Sequence, residues 1–126
     1  MVLAAVALAI AVASCSTEDK GAATSQELRG GETRATLSPE YFSGSTAAAY
    51  KIAKEIPEVI DSLHCYCECK KHFGHKSLLT CYVDDHAAYC DVCMDEAFMA
   101  YELHKQGKGV ADIRRQVDEK FSSLRH

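Results

Sequence analysis

Cysteine occupies every other position of Cys65-Tyr66-Cys67-Glu68-Cys69, and Cys81, Cys90 and Cys93 follow closely. In an extended chain, residues two apart lie about 6.6 Å apart on one face. The three thiols of the run therefore point the same way. Three neighbouring thiols cannot all pair among themselves, and a bridge between residues two apart closes a strained ring. Convergence of this kind suits a metal ion or cluster better than separate bridges, so the sulfur chemistry constrains the fold more than any apolar pattern does.

Cys90 and Cys93 form a second element. Two intervening residues let both sulfurs reach one ion. The helix expected to start at Asp91 would put them at its positive end, where amide N–H groups and the dipole lower a thiol pKa. More thiolate favours metal binding and redox nucleophilicity alike, so this feature does not choose between them. Covalent haem attachment wants His after the second cysteine, where this chain has Met94. A thioredoxin-like site wants a strand–helix–strand setting, and none is seen around Asp91.

The N-terminus sets the compartment. Val2 to Ala13 is an uncharged apolar run of the length of a signal-peptide core, too short to span a bilayer comfortably. Val12-Ala13-Ser14-Cys15 resembles a bacterial lipobox. The resemblance implies cleavage before Cys15 and lipidation of its thiol, with two or three acyl chains as a firm anchor. The expected location is the bacterial cell envelope, lipid-anchored and facing the periplasm or the exterior. Setting Cys15 aside leaves six cysteines, an even number, and disulfides persist outside the cytoplasm. A disulfide framework is therefore an open alternative.

Three regions follow: 1–14 a lipoprotein signal peptide, 15–43 a flexible tether rich in Ser, Thr, Gly, Ala and acidic residues, and 44–126 a cysteine-rich helical domain. The fold class is mainly α, with about four short helices around a cysteine-rich irregular loop. Ala49, Ile52, Ala53 and Ile56 keep a helical face from Ser45 onward. Pro57 ends that helix and can open a short second one carrying Val59, Ile60 and Leu63. From His64 to Tyr89 no sustained helix or strand is expected. Asp91 to about Gln106 reads as a strong helix with Met94, Ala97, Phe98 and Tyr101 on one face and Gly107 as its cap. A last helix runs from Val110 to about Ser122 on Val110, Ile113, Val117 and Phe121.

A net charge of −4, with no Trp and few aromatics, makes nucleic acid an unexpected partner. With few large apolar residues the core is modest, and small cores often need disulfides or metal as a staple. Among the histidines, His64, His72, His86 and His104 read as loop or surface groups. His75 is the best candidate for an extra metal ligand. Met94 and Met99 are weak candidates for soft-metal ligation and read as core. No Ser/His/Asp hydrolase signature is present.

The run Cys65-Tyr66-Cys67-Glu68-Cys69, then His72-Phe73-Gly74-His75-Lys76-Ser77, then Cys90-Asp91-Val92-Cys93-Met94-Asp95-Glu96-Ala97, resembles the CYCXC family of bacterial (seleno)proteins. That family is similar in turn to lipoproteins named for a PCYCGC motif. The resemblance covers roughly Tyr50 to Phe121. This chain has His64 where the PCYCGC pattern has Pro, and Glu68 where it has Gly. The resemblance implies that some relatives place selenocysteine in the motif, which suits redox turnover or soft-metal binding and not an inert bridge.

The leading reading is a lipid-anchored domain that binds a soft transition metal, with Cu(I) the first guess and Zn(II) the second. The ligand candidates are Cys65, Cys67, Cys69, Cys81, Cys90, Cys93 and His75. Binding is favoured over catalysis. If the chain is an enzyme, it is a thiol–disulfide or peroxide-type oxidoreductase with Cys90 or Cys93 attacking. A disulfide-stapled binding domain is the third reading. The expected partners are the membrane, through the N-terminal lipid, and the metal ion.

Overall fold

A computed structural model describes residues 24–124, with the side chains of residues 69 and 70 excepted. The signal peptide and the lipidation site Cys15 lie outside the described residues. Six α-helices are present among them, three of seven residues or more, and no strand. They are α1 (Ser25–Leu28), α2 (Gly44–Glu55), α3 (Pro57–Asp61), α4 (Cys69–Phe73), α5 (Asp91–Lys105) and α6 (Val110–Phe121). No described helix is long and apolar enough to cross a membrane.

Three long helices form the frame, with α5 packed against both α2 and α6. α2 buries Ala49, Tyr50, Ile52 and Ala53, the face expected from the 3.6-residue period. Pro57 occupies the first turn of α3, where its missing N–H costs nothing. α3 and the residues just after it bury Val59, Ile60 and Leu63, and full burial of one such side chain contributes about 1.5–3 kcal/mol. α6 buries Ile113, Val117 and Phe121. Between α5 and α6, Gly107 sits at φ +77°. Its amide donates to His104 C=O at 2.9 Å and that of Lys108 to Leu103 C=O at 3.1 Å. This is the paired helix-ending bond that a left-handed residue permits.

The buried face of α5 is rotated from the expected one. Cys93, Met94, Glu96, Ala97, Ala100 and Leu103 are buried, whereas Phe98 and Tyr101 are only half-buried. The inward stripe mixes small residues (Cys93, Ala97, Ala100) with large ones (Met94, Glu96, Leu103) and admits one carboxyl, so hydrophobicity alone does not set it.

The segment from Arg29 to Leu37 differs from the flexible tether expected there. Asp61, fully buried at the end of α3, accepts hydrogen bonds from Arg29 Nε (3.1 Å), Gly31 N (3.1 Å), Glu32 N (3.0 Å) and Ser77 Oγ (2.7 Å). Burial alone would raise the Asp61 pKa; the Ser77 hydroxyl, the amides and Arg29 outweigh it and hold the carboxyl low. Glu32 is likewise buried. It accepts from the Arg34 guanidinium (2.8 Å) and from Thr80 Oγ1 (2.8 Å), and the Arg34 hydrogen bonds hold it well below the usual carboxylate range. Gly30 lies so close to residues 76–77 that a Cβ there would stand 2.6 Å from Ser77 Cβ. Polar composition suggested solvation, but two buried carboxylates pin this strand of chain to the loop that carries Cys81.

Candidate metal centre

Between His64 and Cys90 the chain is built from short pieces. α4 begins at Cys69 and is followed by the 3-10 turns Leu78–Tyr82 and His86–Tyr89. The turn Leu78–Tyr82 is buried throughout. Its first amide, Leu78 N, donates to Leu63 C=O at 3.0 Å, which draws the turn beside the start of the cysteine run. At its far end Tyr82 Oη donates to Cys93 C=O at 2.7 Å, tying it to the first turn of α5. Cys65, Cys81 and Cys93 thus arrive from three separate segments.

Their sulfurs meet. Cys65 Sγ lies 3.0 Å from Cys67 Sγ, 3.3 Å from Cys81 Sγ and 3.9 Å from Cys93 Sγ, and Cys67 Sγ lies 3.4 Å from Cys93 Sγ. All four sulfurs lie within 4.8 Å of one another. Four thiolates about 2.3 Å from a tetrahedral ion stand about 3.8 Å apart. The observed spacings bracket that value, so the donor type, number and separation fit a soft metal ion. Cys65, Cys81 and Cys93 are at most 2 % exposed, while Cys67 is half-buried.

Crowding sets the protonation of the sulfurs. Cys93 is pushed far above the ordinary thiol range by hydrogen bonding with Cys65, Cys81 and Cys90, with burial adding to it. Cys81 is raised by its contact with Cys65, which together with burial outweighs a lowering from Cys93. A crowded buried group cannot hold several negative charges without a counter-ion, so a metal ion would displace protons on binding. Cys81, Cys90 and Cys93 are free thiols. Cys67 Sγ stands 3.0 Å from Cys65 Sγ and 3.4 Å from Cys93 Sγ, beyond the roughly 2.05 Å of an S–S bond. A metal held by all four sulfurs needs Cys67 reduced.

Two expected ligands stand outside this group. Cys90 is half-buried at the start of α5, where the Cys93 thiol, with the amides of Cys93 and Val92, outweighs burial and lowers its pKa to about 6. No full capping hydrogen bond closes onto it. His75, buried, sets Nδ1 3.1 Å from Cys81 Sγ. It therefore touches a ligand and is not itself one of the four. Burial, then the neighbouring His86, lowers its pKa and keeps it neutral. The side chain of Cys69 is not among those described. His64 packs its ring on Tyr66 at 4.9 Å, His72 and His104 are exposed, and Met99 is half-buried.

Glu96 is a part of the centre that sequence reasoning missed. It is fully buried, and its Oε1 accepts from Tyr66 N at 2.9 Å. Its Oε2 has no hydrogen-bond partner. Burial first, then the Cys65 charge, raises its pKa to about 9. Tyr66 Oη in turn donates to Asp118 Oδ1 at 2.8 Å. The residue between Cys65 and Cys67 is thus held by α5 at its amide and by α6 at its hydroxyl. The available signal was position: Glu96 lies one turn after Cys93, on the stripe with Ala97 and Ala100.

Residues 2–124 match the family described as a protein of unknown function with PCYCGC motif. The chain belongs to the PCYCGC-motif family. No curated protein and no solved structure matches it. The PCYCGC motif also explains a backbone feature. Glu68, in the place of the motif's glycine, is at φ +60°, the one non-glycine residue with positive φ among those described. The turn that aims Cys67 inward and starts α4 uses the left-handed region, which glycine enters freely and glutamate does not.

Proposed function

We propose that this PCYCGC-motif protein is a lipid-anchored protein of the bacterial cell envelope that binds one soft transition-metal ion through Cys65, Cys67, Cys81 and Cys93. The observation that carries the reading is the convergence of four sulfurs, all within 4.8 Å, from three chain segments. Soft thiolates select Cu(I) and Zn(II). A set of four sulfur donors favours Zn(II), which takes four ligands, over Cu(I), the first guess from the sequence. Binding is confined to the reduced chain, because Cys67 must offer a thiolate. The lipid on Cys15 supplies the anchor.

A second reading draws on one specific observation. Cys90, with its pKa near 6 and its side chain half-buried, has the character of an attacking thiol beside Cys93. In that case the same cysteines exchange thiols and disulfides. The free thiols of Cys81, Cys90 and Cys93 weigh against a purely disulfide-stapled domain.

Native and denaturing mass spectrometry of the reduced, anaerobic chain tests the reading. One metal ion per chain in the native spectrum, lost on denaturation with its cysteines then open to alkylation, is the expected result. A chain that takes up neither zinc nor copper after full reduction, but cycles one cysteine pair with a disulfide substrate, favours the redox reading instead.

A further inference from the structure

A buried sulfur site needs a way in. His75 closes over Cys81, with Nδ1 3.1 Å from its sulfur. His86, half-buried at the start of the 3-10 turn His86–Tyr89, crosses the His75 ring edge-on at a centroid distance of 4.9 Å. Phe73, 68 % exposed, lies against His86 at 5.2 Å and against His75 at 6.1 Å. Solvent, His86, His75 and Cys81 thus form a graded series from a half-buried imidazole to a fully buried sulfur, with an aromatic cover.

The geometry points to the His86–His75 pair as the entry and exit path for the metal ion, a relay that passes it between solvent and Cys81. This rests on the metal-binding reading above. Stripping a divalent ion of its water before it reaches a thiolate is costly. Neutral imidazole is the commonest protein metal ligand, so a step through imidazole replaces water one ligand at a time. His86 takes the ion from solvent, His75 receives it, and Cys81 and its neighbours exchange onto it as their protons leave. Binding at the sulfurs, not at the histidines, sets the final affinity. Phe73, at the C-terminal end of α4 and just before Gly74 at φ +68°, shields the pair.

Stopped-flow zinc exchange between the reduced full chain and a chromophoric chelator tests the path, using His86→Phe, which keeps the ring contact and removes the nitrogens. Uptake and release should both slow several-fold while the equilibrium affinity stays the same. His86→Asn provides the same comparison if the larger ring disturbs folding. Unchanged rates in these variants would overturn the proposal and send the ion in along half-buried Cys67. A loss of affinity with an unchanged uptake rate would also overturn it, leaving His86 a support for His75. A wild-type chain that takes no zinc removes the metal-binding reading itself, a different outcome from either.

Discussion

The amide of Tyr66 donates to Glu96 Oε1 across 2.9 Å, so a buried carboxyl stands directly behind the residue that separates two sulfur ligands. The contact fixes the backbone between Cys65 and Cys67, and in its neutral form the carboxyl adds no further negative charge beside the four sulfurs.

That carboxyl makes the stability of the metal-free protein depend on pH. Its folded pKa of about 9 lies above the ordinary 4.5, so the folded chain keeps a proton that the unfolded chain has released. The contribution is complete below about 4.5 and is lost as pH rises towards 9, at up to about 1.4 kcal/mol per pH unit. Cys90 works the other way, since a thiol lowered to about 6 adds stability above the ordinary thiol pKa and loses it as pH falls through 6. The difference between the parent and Glu96→Gln isolates the carboxyl. In urea melts from pH 5 to 9 this difference should move steadily against the parent as pH rises; a flat difference would show that Glu96 is ionised in the fold.

Cys90 should be the first thiol of the reduced, metal-free chain to react. Its pKa of about 6 makes it largely thiolate at neutral pH, and it is half-buried where Cys81 and Cys93 are fully buried. Brief iodoacetamide treatment followed by peptide mapping should find the early adduct at Cys90, with a rate midpoint near pH 6. Early labelling at Cys93 would contradict the assignment.

Restoring the motif's glycine at position 68 should stabilise the protein. A non-glycine residue in the left-handed region costs about 1–2 kcal/mol, and the greater freedom of glycine in the unfolded chain offsets about 0.5–1 kcal/mol of that. Glu68→Gly is therefore expected to raise the denaturation midpoint by an amount worth roughly 0.5–1 kcal/mol. A lower midpoint would show that the Glu68 side chain makes a compensating contact.

The helices were legible and much of the site's surroundings was not. Period and proline placed α2, α3, α5 and α6, because their apolar spacing is local information. Cysteine content and spacing put Cys65, Cys67, Cys81 and Cys93 among the ligand candidates, and the buried turn Leu78–Tyr82 is what brings Cys81 to the other three while Cys90 and His75 stay outside the group. Nothing in the local sequence marks Asp61, Glu32 or Glu96 for burial. Their burial depends on partners far along the chain, Ser77, Thr80 and Tyr66, which no window of local sequence contains.

Asp61 carries a prediction of its own. Asp61→Ala would leave the amides of Gly31 and Glu32 and Arg29 Nε without their acceptor. Removing one partner from such a buried, charged network costs about 3–5 kcal/mol. Hydrogen exchange should then show residues 29–34 losing protection first, with the α5–α6 pair less affected. Uniform loss of protection across the chain would mean that this segment is not a separate latch.

X-ray absorption on the reduced, zinc-loaded chain tests the central claim most directly. The account predicts one zinc per chain with a first shell of four sulfurs at about 2.3 Å, falling to three in Cys81→Ser. A shell dominated by nitrogen or oxygen, or a four-sulfur shell that survives Cys81→Ser unchanged, would contradict it.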